Sequence, residues 1–198
     1  DVALRLQRGP LLALRATDRA FAALRAAGDV VTWGDPGYGG YSRLVEDQLQ
    51  NVRQLQSTFA SFAALLADGR VVAWGDSLTG GDCRVEESRL RNVRSIQSCD
   101  AAFAALLADG TVVTWGSSFA GGDSSAVRAQ LYDVEAIQAT RQAFAARRRD
   151  GSVVSWGSED YGARPSVLQD VAELAASFRS FAAILLDGRV VTWGPAAP

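Results

Sequence analysis

Five tryptophans, Trp33, Trp74, Trp115, Trp156 and Trp193, each sit in a "VVTWG", "VVAWG" or "VVSWG" pentamer, and successive ones lie 41, 41, 41 and 37 residues apart. A fixed period of this length marks a chain of repeated supersecondary units, none of which can bury its apolar face alone. Phe21, Phe62, Phe103, Phe144 and Phe181 keep the same intervals, as do Gly28, Gly69, Gly110, Gly151 and Gly188. The chain is therefore one β-repeat domain over residues 1–198, with units near 10–50, 51–91, 92–132, 133–169 and 170–198 and a short lead of residues 1–9.

Each unit reads as short strands. In the second, "VRQLQS" spaces Val52 and Leu55 along an extended run, "SFAALL" is continuously apolar, and "RVVAW" is β-branched and aromatic, a composition that suits a buried pleated surface. "ADG", "RDG" or "LDG" then makes a tight hairpin turn, with Gly supplying positive φ. The opening stretch "LLALRATDRAFAALRAAG" has helical propensity, but it aligns position for position with the strand pair of the next unit and is read as strand. The rest of a unit, such as "GSSFAGGDSSAVRAQLYD", holds a Gly-rich loop with room for a fourth, outer strand. The predicted fold is all-β: a small five-bladed propeller-like or prism-like ring, with residues 1–9 as a closing strand that removes the open edges. An open or truncated β-repeat array is the alternative. The five tryptophans and five phenylalanines named above are the expected structural core.

Composition limits the function. The net charge is only −2, so no strong field favours nucleic acid. No apolar run approaches the roughly 18 residues of a membrane span, so any membrane contact is expected through a partner and not by direct insertion. The chain starts at Asp1 and has no methionine, which reads as a processed or truncated chain. All 20 cationic residues are arginine, and lysine and histidine are absent, a bias read as coding composition. Proton transfer would then fall to Asp, Glu, Tyr or Cys, and the recurring Asp68, Asp109, Asp150 and Asp187 belong to turns. Asp82 and Asp123 in the "GGD" loops lack the spacing of a calcium or phosphate loop. Cys83 and Cys99, without histidine, make no metal pattern, and whether they pair stays open. The expectation is a non-enzymatic protein with no catalytic residue, no metal and no cofactor.

The run "V..IQ......FAALLADG.VVTWG....GG" resembles the repeat of the regulator-of-chromosome-condensation family, whose blades carry a "dG.v..WG....GQLG" core, and the match extends through all five units. The glycine six residues after each tryptophan recurs as Gly39, Gly80, Gly121 and Gly162, while "GQLG" is replaced by "GGYS", "GGDC", "GGDS" and "GARP". The resemblance implies a divergent RCC-type β-propeller, and the regular core, modest charge and lack of catalytic groups fit a scaffold or protein-interaction module, an accessory subunit of a larger assembly. Its Ala-rich repeats also resemble proteins of algae with complex plastids. That implies a subunit of a photosynthetic membrane complex, a photosystem, peripheral to the thylakoid in the plastid, with a cytoplasmic location otherwise. The alternative is a regulatory module of the RCC type, a nucleotide-exchange factor or a ubiquitin-ligase substrate-binding propeller.

One unit departs from its sisters. "FAARRRDG" (144–151) stands where others read "FAALLADG", so Arg147, Arg148 and Arg149 replace two apolar residues and an alanine. Arg25 already occupies the Arg148 phase in the first unit, which marks that position as near a rim where a long stem reaches water. Arg147 is the anomaly, because its counterparts are Leu24, Leu65, Leu106 and Ile184. Two readings stand: solvated arginines paired with local acids such as Asp150 and Glu159, or a partner-binding edge whose guanidinium forks grip an acidic surface of another protein subunit.

Overall fold

The computed structural model describes residues 9–164 and 168–195. Every unit folds into one three-stranded antiparallel sheet with strands in sequence order. The sheets are β1 (Leu11–Ala16), β2 (Ala20–Arg25) and β3 (Val30–Gly34); β4 (Val52–Ser57), β5 (Ser61–Leu66) and β6 (Val71–Gly75); β7 (Val93–Ser98), β8 (Ala102–Leu107) and β9 (Val112–Gly116); β10 (Val134–Ala139), β11 (Ala143–Arg148) and β12 (Val153–Gly157); and β13 (Val171–Ala176), β14 (Phe181–Leu185) and β15 (Val190–Trp193). The sheets pack face to face in chain order, giving the five-unit propeller-like arrangement that the period predicts.

The common phase of Phe and Trp has a direct cause. The two are cross-strand partners in the middle and third strands, as in Phe62↔Trp74 and Phe103↔Trp115. Their rings stack at 5.1–5.4 Å in all five units, a contact that adds to simple area burial. The middle strand is sandwiched by both neighbouring sheets, and β5 is buried at every residue, which explains its continuous apolar run.

Glycine six residues after tryptophan is an inter-unit latch. Gly80 ends a 3-10 turn (Ser77–Thr79) at φ 98°, and a Cβ there would lie 2.7 Å from the Phe103 ring of the next unit. Its carbonyl accepts the indole N–H of Trp115 at 3.0 Å, and Gly39 and Gly121 do the same for Trp74 and Trp156. A side chain at Gly80 would push this loop off the ring pair it closes. The sequence marker therefore belongs to the joint between units as much as to the unit that carries it.

Two expectations change, and one falls largely outside the described residues. First, among the described residues there is no fourth strand: the long connections form paired 3-10 turns, such as Pro36–Tyr38 with Glu46–Gln48, and then run beside the third strand. The hydroxyls of Ser42 and Ser124 meet those of Thr32 and Thr114 at 2.9 and 3.0 Å, so side chains do the work of a backbone ladder there. Second, of the proposed closing strand over 1–9, residues 1–8 lie outside the described residues. Third, Phe21 does not share the burial of its counterparts: it is 41% exposed, whereas Phe62, Phe103, Phe144 and Phe181 are buried. Each of those four is covered by the sheet before it, whereas among the described residues no sheet packs on that side of the first. Trp74, Trp115 and Trp156 are likewise buried while Trp33 and Trp193, at the two ends, are half-buried. Among the described residues no helix is long and apolar enough to cross a membrane.

Candidate functional site

The turns joining first to second strands all lie at one rim of the stacked sheets. Each opens on a small residue with a hydroxyl or thiol: Thr17, Thr58, Cys99, Thr140 or Ser177. The group caps its own turn, as Thr17 Oγ1 accepting from Ala20 N at 3.0 Å shows. It also donates to the post-tryptophan loop beside it: Thr17 to the Tyr38 carbonyl and Thr140 to the Tyr161 carbonyl at 2.9 Å, and Cys99 to that of Ala120 at 3.3 Å. The middle residues of the turns are stitched from unit to unit by backbone bonds: Asp18 N–H to Phe59 O, Phe59 to Asp100, Asp100 to Arg141 and Arg141 to Phe178, at 2.6–3.0 Å. The backbone of this rim is thus fixed, while its side chains change between acidic, aromatic and cationic along the row.

Those side chains are aromatic and cationic. Tyr38 meets Phe59 edge to face at 5.6 Å, with the Arg19 guanidinium 4.9 Å from the tyrosine ring. Arg141 is ion-paired with Asp100 and lies 5.0 Å from the centre of Phe178. Phe178 packs on Tyr161, which Arg179 covers at 5.2 Å. Leu78 and Phe119, central in their 3-10 turns on the same rim, are 77% and 85% exposed, and Phe59 and Phe178 are exposed as well. Stacked guanidinium–aromatic groups on a fixed backbone are the residue types enriched in protein interfaces. Sequence reasoning passed over this rim because it weighed the positions that recur. The signal was in the column that does not: Asp18, Phe59, Asp100, Arg141 and Phe178 share one phase but switch among acid, aromatic and cation.

Arg147, Arg148 and Arg149 lie at the opposite rim, where β11 enters the β11–β12 hairpin. Arg147 is 21% exposed and reaches Glu135 at 2.9 Å, and Arg149, 74% exposed, reaches the other oxygen of Glu135 at 3.4 Å. Arg148 bonds Ser152 at 2.6 Å and Asp150 at 3.2 Å and lies over Tyr132. The acid for Arg147 is Glu135 on the adjacent strand and not Glu159. Glu135 is the extra residue of a β-bulge present in all five units. In the second and third units that residue is Arg53 or Arg94, whose guanidinium reaches the next unit's backbone at 2.7 Å, and the facing position is Leu65 or Leu106. An acid at the bulge thus goes with an arginine opposite it. Glu135→Arg alone is expected to cost about 1 kcal/mol by crowding three cations, and adding Arg147→Leu should recover it with a coupling of about 1 kcal/mol. Additive effects in urea titrations of the four proteins would refute that pairing.

The remaining candidates have structural roles. Asp68, Asp109, Asp150 and Asp187 each accept the backbone N–H two residues on, and hydrogen bonds from those residues hold their carboxyls below the usual range. Arg84 grips Asp82 through Nε and Nη2 and lowers its pKa to about 2, while Asp123 accepts from Ser125 N at 2.8 Å. Cys83 and Cys99 are free, buried thiols, and burial pushes both pKa values up to about 11, which keeps them protonated and unreactive near neutral pH. Among the described residues no group of three or more His, Cys, Asp or Glu is placed to hold a metal.

Stacked antiparallel sheets, repeated in chain order and latched by Trp–Gly bonds, define a β-propeller-type repeat protein. No family model and no curated protein matches the chain, but solved structures do, and the likeness is to β-propellers that include RCC1. Prp20p, the RCC1 of Saccharomyces cerevisiae, whose binding to Gsp1p and histones has been described, is 18% identical with a TM-score of 0.63, over 96% of this chain and 58% of that one. The CRINKLY WD40 ectodomain of the Arabidopsis thaliana receptor kinase ACR4 is 18% identical at a TM-score of 0.58, over 97% of this chain and 68% of that one. Human WBSCR16 is 17% identical at a TM-score of 0.61, over 93% and 61%. The chain thus spans about 58–68% of the length of these structures. At such identities the likeness is one of fold.

Proposed function

We propose that this chain is a non-enzymatic protein-interaction module whose recognition surface is the aromatic and arginine rim. The observation that carries this reading is the exposure of Phe59 and Phe178 on turns whose backbones are hydrogen-bonded from unit to unit, and of Leu78 and Phe119 on loops whose closing glycines accept the next unit's indole N–H. Contiguous exposed apolar side chains on a rigid frame mark partner sites, and a pre-ordered backbone reduces the entropy lost on binding. A propeller of the same fold, yeast RCC1, has been crystallised with Kap60 bound, which supports a protein as partner. An accessory role in a larger assembly follows from this reading. Its placement in a photosystem rests on the likeness of the Ala-rich repeats, and the geometry adds nothing to it. The regulatory alternative, exchange factor or ligase module, draws on the RCC1 fold alone.

The test is a native-extract pulldown with the wild-type chain, with a rim variant carrying Phe59→Ser, Leu78→Ser and Phe119→Ser, and with Arg149→Ala. The rim variant is expected to lose the wild-type partners while keeping its thermal midpoint, because all three residues are exposed. Co-purifying pigment-binding subunits would support the photosystem placement. Loss of partners with Arg149→Ala, in a salt-sensitive manner, would move the site to the arginine edge. An unchanged partner set in the rim variant overturns the reading.

A further inference from the structure

The first three internal joints follow one recipe, and the fourth keeps its valine, Val153, but has Arg147 in place of the leucine. The earlier unit presents a leucine of its middle strand and a valine of its third, and the later unit receives them on its phenylalanine and on two apolar residues of its first strand. At the first joint these are Leu24 and Val30 against Phe62, Val52 and Leu55, all of them buried. The hairpin glycine of the earlier unit completes the joint: a Cβ on Gly28, Gly69, Gly110 or Gly151 would lie 2.9–3.1 Å from the Cα of the next unit's Asn51, Asn92, Asp133 or Asp170.

Each half of that recipe is present at one end of the array without its complement. On the fifth unit, Ile184 and Val190, at the Leu24 and Val30 phases, are 42% and 65% exposed, where Leu24 and Val30 are 2% and 3%. On the first unit, Phe21, Leu11 and Leu14 are 41%, 46% and 52% exposed, where Phe62, Val52 and Leu55 are 0%, 5% and 1%. Gly188 keeps the turn conformation, φ 85°, yet a Cβ there would meet nothing within 4 Å. The row of backbone bonds along the rim likewise runs from Asp18 to Phe178 and leaves the Phe178 N–H and the Asp18 carbonyl at its two ends.

We propose that two copies of this chain associate head to tail, the Ile184 and Val190 face of one packing on the Phe21, Leu11 and Leu14 face of the next. The occupant is set by continuity with the first three joints: the surface that fits a Leu/Val face in this molecule is a phenylalanine flanked by two aliphatic residues of a first strand, and a second copy carries one. Pairing like with like, Phe21 on Phe21, has no precedent in the fold. Pro10 stands where the later units have Asn or Asp at positive φ, so this corner differs and the apolar side chains carry the contact. Such a joint is heterologous. It leaves a free head and a free tail on every assembly, which then grows or closes into a larger ring instead of stopping at two. This surface is separate from the aromatic rim and does not depend on its role.

The experiment is sedimentation velocity on the full chain over a concentration series, with Leu14→Glu blocking the head and Val190→Glu blocking the tail. Wild type is expected to form species larger than dimers as concentration rises. Each variant alone should stay monomeric where wild type is mostly associated, and an equimolar mixture should form a 1:1 heterodimer and nothing larger, since one usable head meets one usable tail. Circular dichroism and thermal midpoints should match wild type, because both positions are exposed in the single chain. A single variant that still dimerises shows like-with-like pairing and overturns the proposal. So does a wild type that is monomeric throughout, whether residues 1–8 cover the head or the fifth sheet closes onto the first.

Discussion

A Trp115→Ala protein is expected to lose about 3–5 kcal/mol of unfolding free energy, the range for deleting a buried aromatic, seen as a lower urea midpoint at unchanged slope. Three contributions vanish together. The indole is buried and stacked on Phe103 at 5.1 Å, and its N–H is the partner of the Gly80 carbonyl in the preceding unit. Removing it leaves a cavity inside one sheet pair and an unpaired carbonyl at a joint, so the loss is shared between unit and interface. Trp33→Ala is expected to cost about half as much, because Trp33 is only half-buried and no preceding unit packs on it. Equal losses at the two positions would refute this division.

The second large effect separates backbone strain from unit-to-unit contact. Gly69 and Gly188 sit at φ 83° and 85° in the same hairpin turn, so an alanine pays the same left-handed cost at both, about 1–2 kcal/mol. At Gly69 the added Cβ would also lie 2.9 Å from Asn92 Cα, beside the bond that Val93 N–H makes to the Gly69 carbonyl at 3.0 Å. Backbone cannot rotate aside as a side chain can, and overpacking of this kind costs a further 1–3 kcal/mol or about that. Gly69→Ala should therefore be clearly less stable than Gly188→Ala in matched thermal or urea melts. If the two losses are equal, the close approach between units is not tight in solution.

Much of the fold was legible because the constraint repeats. A Phe, a hairpin Gly and a Trp at one spacing in five units are what three antiparallel strands with a cross-strand ring stack require, and the alignment overruled the helical propensity of the first unit correctly, since β1, β2 and β3 are strands. Features that depend on the neighbouring unit were not legible. Asn51, Asn92, Asp133 and Asp170 adopt φ of 49–57°, a conformation that Asn and Asp tolerate, but only the packing of the preceding glycine shows why it is needed. The loops were given a fourth strand because their length allows one, whereas the 3-10 turns arise from Asp35 and Asp76 capping and from glycine at their ends. Phe21 has the sequence context of its sisters, and nothing local records that its ring is left exposed. The aromatic rim escaped for a related reason: its side chains vary from unit to unit, and periodicity filters such positions out.

Because each buried cluster among the described residues joins two units that are adjacent in the chain, the molecule behaves in one dimension. Its stability is a sum of unit terms and joint terms, and opening proceeds from the ends inward instead of everywhere at once. The fourth joint is the natural place for the first break. Leu65 and Leu106 serve the second and third joints, whereas Arg147, committed to Glu135, stands at that phase in the fourth. Amide exchange would then be graded, fastest in β13 to β15 and slowest in β5 and β8, so that the arginine-bearing unit marks a boundary of cooperativity.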